Sequence, residues 1–140
     1  MTKLHDPKII EQVVIDNDLD KARIILEKYP KSSKIKLWRF SIRLNRTEIF
    51  RLCVNEYNFD INTHLSNALI EAIEYKNNDI VEEFFINKNY KLNISELSYF
   101  LNIYHKDLVL LVYKHKDIYN KIKSNKIIDE IVLSSKIKEF

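Results

Sequence analysis

Residues 67–81, which read NALIEAIEYKNNDIV from Asn67 to Val81, decide the fold class of this chain. Apolar residues recur at helical spacing before the polar turn 76–79 and again after it. No strand-like alternation bounded by turn residues occurs elsewhere in the sequence. The stretch therefore predicts two short helices joined by a tight turn, and an all-α protein.

A polar turn followed by an apolar segment recurs along the chain. An acid closes each turn, at Asp20, Glu48, Asp79 and Asp107, with separations of 28, 31 and 28 residues. Each acid lies where a second helix is predicted to begin, so it can cap free N–H groups and face the positive end of the helix dipole. A period near 30 residues indicates an internal repeat. We predict a single domain, 1–140, of four stacked helical hairpins with a C-terminal helix: repeats at about 7–33, 34–62, 63–93 and 94–120, and a cap at 121–140.

This pattern resembles the ankyrin repeat, whose unit runs roughly T-P-L-H-x-A-A, N-G-H-x-E-I-V, an apolar second helix and G-A-D-V-N. Residues 67–81 follow the pattern without a gap, and 59–62 look like its closing phrase. The resemblance is best over 36–93 and implies a solenoid that binds other proteins. The family's Thr-Pro pair is missing and the chain has no glycine. Asn17 and Asn45 stand where a turn glycine is expected, and Asn77 is one place beyond it.

The composition argues against several kinds of site. The chain has 140 residues, of which 46% are apolar, so it can bury a core without disulfides or metals. Cys53 is the only cysteine, and we interpret it as a buried structural thiol. The absence of glycine excludes the glycine-containing phosphate-binding and nucleophile motifs. His5, His64, His105 and His115 have no ligand-like spacing. We predict no catalytic activity, no metal and no cofactor.

Targeting signals are also lacking in the sequence. The N-terminal residues have no apolar signal-peptide run, and no stretch approaches about 18 consecutive apolar residues. We therefore expect a cytoplasmic protein that does not enter a membrane. The chain is rich in Asn, Ile, Lys and Tyr, whose codons are A/T-rich, as in many large DNA viruses, some phages and some protists. This bias leads to the hypothesis of a viral protein that binds and inhibits a host factor.

The predicted interaction site lies at the ends of the first helices. In an ankyrin-like register, Leu44, Tyr75 and Tyr104 occupy equivalent places near the concave mouth, where the family makes contacts. Such a row is typical of a protein-binding stripe, because Tyr supplies much contact area at low entropy cost. The alternative is burial against the next hairpin. The predicted partner contacts, which include three basic residues, are Arg39, Arg43, Leu44, Arg46, Tyr75 and Tyr104.

Charge alternates between neighbouring repeats. The second repeat is basic and carries Lys31, Lys34, Lys36, Arg39, Arg43, Arg46 and Arg51. The third is acidic and carries Glu71, Glu74, Asp79, Glu82 and Glu83. The pattern fits complementarity between stacked repeats, worth little for each exposed pair, or a face that attracts an acidic partner. We interpret the paired glutamates as a solvated helix face rather than as catalytic carboxylates.

Two alternatives remain open from the sequence. A compact viral α-bundle inhibitor of the Bcl-2-like type fits the length, but it needs one long central helix, and no predicted helix exceeds about 14 residues. A nucleic-acid binder is the other, although the net charge of +3 is only mildly basic. Lysines interleaved with tyrosines can bind single strands by stacking and phosphate contact. They lie at the C-terminal side, with Lys114, Lys116, Lys121, Lys123 and Lys126 alternating with Tyr113, Ile118 and Tyr119.

Overall fold

The computed structural model describes residues 6–63, 66–103 and 106–122, and in these ranges the chain forms helices and no strand. The all-α prediction is therefore confirmed. The described α-helices, in chain order, are α1 Pro7–Ile15, α2 Leu19–Lys28, α3 Lys31–Arg43, α4 Thr47–Arg51, α5 Ser66–Glu74, α6 Asn78–Ile86, α7 Ile94–Ile103, α8 Lys106–Lys114 and α9 Lys116–Ile122. A π-helical turn, Leu52–Glu56, continues α4. The longest of these helices, α3, has 13 residues, so the described part lacks the long central helix of the bundle alternative.

The helix starts show which side chains act as caps. Asp6 precedes Pro7 at the first position of α1 and accepts a hydrogen bond from the Lys8 N–H at 2.9 Å. Asp18 caps α2 by accepting from the Lys21 N–H at 3.1 Å. The prediction that Asp20, Glu48 and Asp79 are the capping residues is wrong, because Asp18, Arg46 and Asn77 occupy the cap positions of α2, α4 and α6. The other part of the prediction holds: the recurring acids lie at the second helical position and face the positive end of the helix dipole, at Asp20, Glu48, Asp79 and Asp107.

The same turn follows α1, α3 and α5. One residue in each adopts a left-handed backbone, Asn17 with φ 52°, Asn45 with φ 56° and Lys76 with φ 58°. The next N–H then reaches a carbonyl five residues back, at 2.9–3.0 Å, in the pairs Asp18–Val13, Arg46–Ser41 and Asn77–Ala72. This confirms the left-handed positions predicted at Asn17 and Asn45. The third falls on Lys76, one place before Asn77.

The helices pack in consecutive pairs and also between pairs. Contacts join α1 to α2, α3 to α4 and α5 to α6. Further contacts join α1 to α3 and α3 to α5, and on the other side α2 to α4, α4 to α6 and α6 to α8. The first helices of these pairs thus lie side by side, and the second helices form another row. α9 packs on both α7 and α8.

An aromatic cluster fills the core between the second and third pairs. The rings of Trp38 and Phe50 have centroids 6.1 Å apart, and those of Phe50 and Phe84 are 5.2 Å apart. All three side chains are almost completely buried. Phe59 packs on Trp38 and Tyr90 packs on Phe84. The cluster connects α3, α4 and α6 into one hydrophobic core. This core holds the second and third pairs together, and with them the turns after α3 and α5.

Candidate functional site

Leu44 and Tyr75 occupy the same place in successive turns, directly before the left-handed residue. Their side chains are 37% and 56% exposed. Ile15, which is also exposed, lies near the corresponding turn after α1. Of the two alternatives left open by the sequence, exposure is the one observed for Leu44 and Tyr75, and burial against the next helix pair is excluded for both. Tyr104 lies outside the described residues, and partner binding by this row stays a prediction.

Arg39 and Arg43 lie one helical turn apart on α3 and both contact Glu71 on α5. Arg39 Nη2 lies 3.4 Å from Glu71 Oε2, and Arg43 Nε donates to Glu71 Oε1. The two arginine side chains are 43% and 39% exposed, whereas Glu71 is 19% exposed. Charge complementarity between neighbouring pairs is therefore confirmed at the interface of α3 with α5. A solvated helix face is the wrong description of Glu71.

A cavity of about 190 Å³ lies beside this ion pair. Arg39 and Glu71 form part of its polar lining together with Asn67, while Ile42 and Ala68 line its apolar part. The packing of α3 against α5 thus places a recess with both apolar and charged walls next to Arg39 and Glu71.

Arg46, a predicted partner contact, forms hydrogen bonds within the chain. Its Nε and Nη2 donate to the carbonyl oxygens of Val14 and Ile15, at 3.2 and 2.8 Å. These carbonyls lie in the last turn of α1, where the i+4 donors of a continuing helix are missing. The Val14 carbonyl also accepts from the Asn17 N–H at 3.0 Å. The geometry therefore gives Arg46 a structural role, the attachment of the second pair to the first.

Asn77 makes the equivalent contact one pair further along. Its Nδ2 donates to the carbonyl oxygens of Ile42 and Arg43, at 2.7 and 2.9 Å. Arg46 and Asn77 both precede the second helix of a pair, and both donate to the last carbonyls of the first helix of the preceding pair. Sequence reasoning missed this clamp, although the 31-residue separation of the two positions was a signal for it.

Glu82 and Glu83 face different cations and do not act as a carboxylate pair. Glu83 is buried and binds Arg51, so a solvated face is again wrong there. Glu82 Oε2 lies 2.9 Å from Lys114 Nζ and 2.7 Å from His115 Nε2. Hydrogen bonds from Lys114 and then His115 lower the pKa of Glu82 below its usual value. These contacts tie α6 to α8 and to the start of α9.

The cluster of lysines and tyrosines also has partners within the chain. Lys116 Nζ lies 3.2 Å from the ring centroid of Tyr113 and 5.5 Å from that of Tyr119, and Lys114 pairs with Glu82. Cation–π contact of this kind stabilises the start of α9. Lys123 and Lys126 lie outside the described residues.

Cys53 is completely buried, and burial raises its pKa to about 12. The predicted burial of this side chain is confirmed, and a thiol with so high a pKa is a poor nucleophile at neutral pH. In the ranges 6–63, 66–103 and 106–122 no three His, Cys, Asp or Glu side chains are grouped as a metal site requires.

Another cavity lies on the side of the second helices. It has a volume of about 460 Å³ and lies between the loop after the π-helical turn and the end of α6. Side-chain amides dominate its polar lining, with Asn55, Asn58, Asn87 and Asn89 among the residues around it.

Comparison with protein-family models, with curated proteins and with solved structures finds no match to this chain. Among the described helices, none combines the length and the apolar character needed to cross a lipid bilayer.

Proposed function

We propose that this chain is a non-catalytic protein–protein interaction module, built from stacked helical pairs in the manner of a degenerate ankyrin-repeat protein. The observation that carries the proposal is the exposure of Leu44 and Tyr75 at the same place in successive turns. Large apolar side chains that remain exposed in a row, with charged groups around them, mark surfaces that another protein covers.

The repeated turn supports the solenoid part of this proposal. Left-handed residues, backbone hydrogen bonds and the clamps of Arg46 and Asn77 recur at corresponding places. Solenoids are built from such units, each of which contacts mainly its neighbours. Since Arg46 is engaged in a clamp, the proposed contact residues are Leu44, Tyr75, Arg39 and Arg43. Tyr104 is a further candidate from the sequence.

The biological setting is part of the same proposal. A single, buried cysteine fits a reducing compartment such as the cytoplasm. The A/T-biased composition supports a viral origin, and an interaction module of this size fits a protein that binds and inhibits a host factor.

A double substitution on the proposed surface tests the function. Leu44→Ser with Tyr75→Ser removes both apolar contacts and leaves the Glu71 ion pairs in place. The purified variant and the native protein are each used to capture proteins from nuclease-treated cell lysate, followed by mass spectrometry. We expect at least about a tenfold loss of the captured partner, since central interface residues contribute about 1.4 kcal/mol or more.

Ile86→Ser with Tyr99→Ser is the matched control. Both of these side chains are more than half exposed, but neither lies at the repeated turn. The control should capture the partner as well as the native protein does, and both variants should keep the native helical circular dichroism. Undiminished capture by the Leu44/Tyr75 variant would show that the proposed surface is wrong.

A further inference from the structure

Two guanidinium groups share one carboxylate on the proposed surface. Glu71 Oε1 accepts a hydrogen bond from Arg43, and Glu71 Oε2 accepts one from Arg39 at the long distance of 3.4 Å. A guanidinium has five N–H donors and binds a carboxylate most strongly when two of them contact both oxygens. Because Glu71 is divided between two arginines, neither has this two-point contact with it. Both groups therefore retain donors for a second carboxylate.

The charges along this seam also leave an excess of cations. Lys36 is exposed and lies three residues before Arg39, on the same side of α3. Glu74 is exposed one turn after Glu71 on α5. α3 carries five cations, of which Lys36, Arg39 and Arg43 share one side of the helix. They exceed the two acids of α5, Glu71 and Glu74, by one positive charge. Such an excess attracts an acidic ligand rather than a basic one.

The surroundings of the arginines provide room and apolar contact. The cavity of about 190 Å³ lies against both Arg39 and Glu71 and includes the apolar side chains of Ile42 and Ala68. Leu44 follows Arg43 directly in the chain, and it is exposed at the turn. A ligand that combines a carboxylate with apolar groups would be complementary to this combination of features.

We infer that the partner is an acidic segment of another protein, and that its carboxylate replaces Glu71 on Arg39 and Arg43. The inference rests on the proposed function, which it extends by naming the chemical class of the partner. In the free protein Glu71 occupies the place of the partner's carboxylate and competes with it.

This competition predicts the direction of a mutational effect. Glu71→Gln removes the charge but keeps the shape, so both guanidinium groups become available and binding of an acidic ligand becomes tighter. A Glu71 that contacted the partner favourably would give the opposite result. A Glu71 with only a structural role would leave binding unchanged.

The experiment uses a fluorescent random copolymer of glutamate and tyrosine as the probe, with binding followed by fluorescence anisotropy at two salt concentrations. For Glu71→Gln we expect the copolymer to bind about fivefold more tightly at the lower salt. This factor corresponds to the upper end of the free energy that an exposed ion pair contributes. Adding Arg43→Ala to Glu71→Gln should remove the gain. Thermal unfolding should show that Glu71→Gln is no more stable than the native protein.

Glu82→Gln is the matched control, because it removes an equal charge from another seam, where Lys114 and His115 are the partners. Equal tightening in this control would overturn the inference, since net charge alone would then explain it. Unchanged or weaker binding by Glu71→Gln overturns it as well. Oligo-dT and heparin are parallel probes, and a gain for either that equals the gain for the copolymer also overturns it, because the site would then select any polyanion.

The two proposals fail in distinguishable ways. The Leu44/Tyr75 capture experiment does not use the copolymer and leaves Glu71 intact. Loss of the captured partner there, combined with no gain for Glu71→Gln, would retain the interaction module and reject an acidic partner.

Discussion

Lys76 has a left-handed backbone with φ 58°, in a chain that contains no glycine. A side chain with a Cβ atom costs roughly 1–2 kcal/mol in this conformation, and Asn is among the few residues that offset part of the cost by local hydrogen bonding. The first two turns have Asn at this position, Asn17 and Asn45, whereas the third turn has a lysine. Lys76 is therefore a position where the native residue opposes the backbone geometry.

Lys76→Gly should stabilise the protein. The gain should be about 0.5–1 kcal/mol, less than the full left-handed cost because glycine also increases the entropy of the unfolded chain. Urea unfolding followed by circular dichroism measures it. Lys36→Gly, in the middle of α3, is the control and should instead cost about 1 kcal/mol. A loss of stability in Lys76→Gly would contradict the left-handed geometry of this turn.

At the scale of helices, neighbouring pairs are joined where one helix ends and another begins. Arg46 precedes α4 and binds the last carbonyls of α1, while Asn77 precedes α6 and binds the last carbonyls of α3. Carbonyls at a helix end lack the donors of a continuing helix, and these two side chains donate to them from the next pair. The clamp thus fixes how far one pair is displaced along the next.

Asn77→Asp tests this clamp. At an ordinary helix start Asp is as good a cap as Asn, so the change would be nearly neutral. Here the amide donates to two carbonyls, and an ionised Asp has no donor and brings its negative charge to them. We expect a loss of about 2 kcal/mol in the free energy of unfolding, at least as large as the loss for Asn77→Ala. A neutral Asn77→Asp would mean that the clamp contributes nothing.

Across the whole molecule, the aromatic core couples the second and third pairs. Phe84 of α6 lies with its ring centroid 6.3 Å from Trp38 of α3 and 5.2 Å from Phe50 of α4. Ion pairs cross the same seam, between Arg43 and Glu71 and between Arg51 and Glu83. Because the core and these contacts span two pairs, neither pair buries its apolar face without the other.

Phe84→Ala should therefore affect both pairs at once. A buried phenylalanine truncated to alanine costs about 3–5 kcal/mol, which combines lost burial with the cavity left behind. The Trp38 fluorescence and the circular dichroism should shift together in urea unfolding. Phe85→Ala is the neighbouring control and should cost less, because Phe85 is only partly buried and packs on His115. If the Trp38 fluorescence transition shifted to lower urea while the circular dichroism transition did not, the two pairs would unfold separately.

Local patterns in the sequence determined the helices, two of the turns between them and the burial of Cys53. Apolar spacing predicted the all-α class, and the Asn residues at helix ends marked two of the left-handed turns. The same apolar spacing predicted a buried Cys53. These features depend on residues within one or two helical turns of each other, so a single segment contains the information for them.

Only the tertiary structure decided what the charged side chains do. Arg43 and Glu71 are 28 residues apart in sequence, and Arg46 and Ile15 are 31 apart. A basic or acidic residue on a helix has the same local pattern whether it faces solvent, an opposite charge or a backbone carbonyl. The difference comes from the displacement between packed helices, which the order of residues along one helix does not specify. For that reason Arg46 became a clamp, Glu83 became buried and Glu71 came to lie between two arginines.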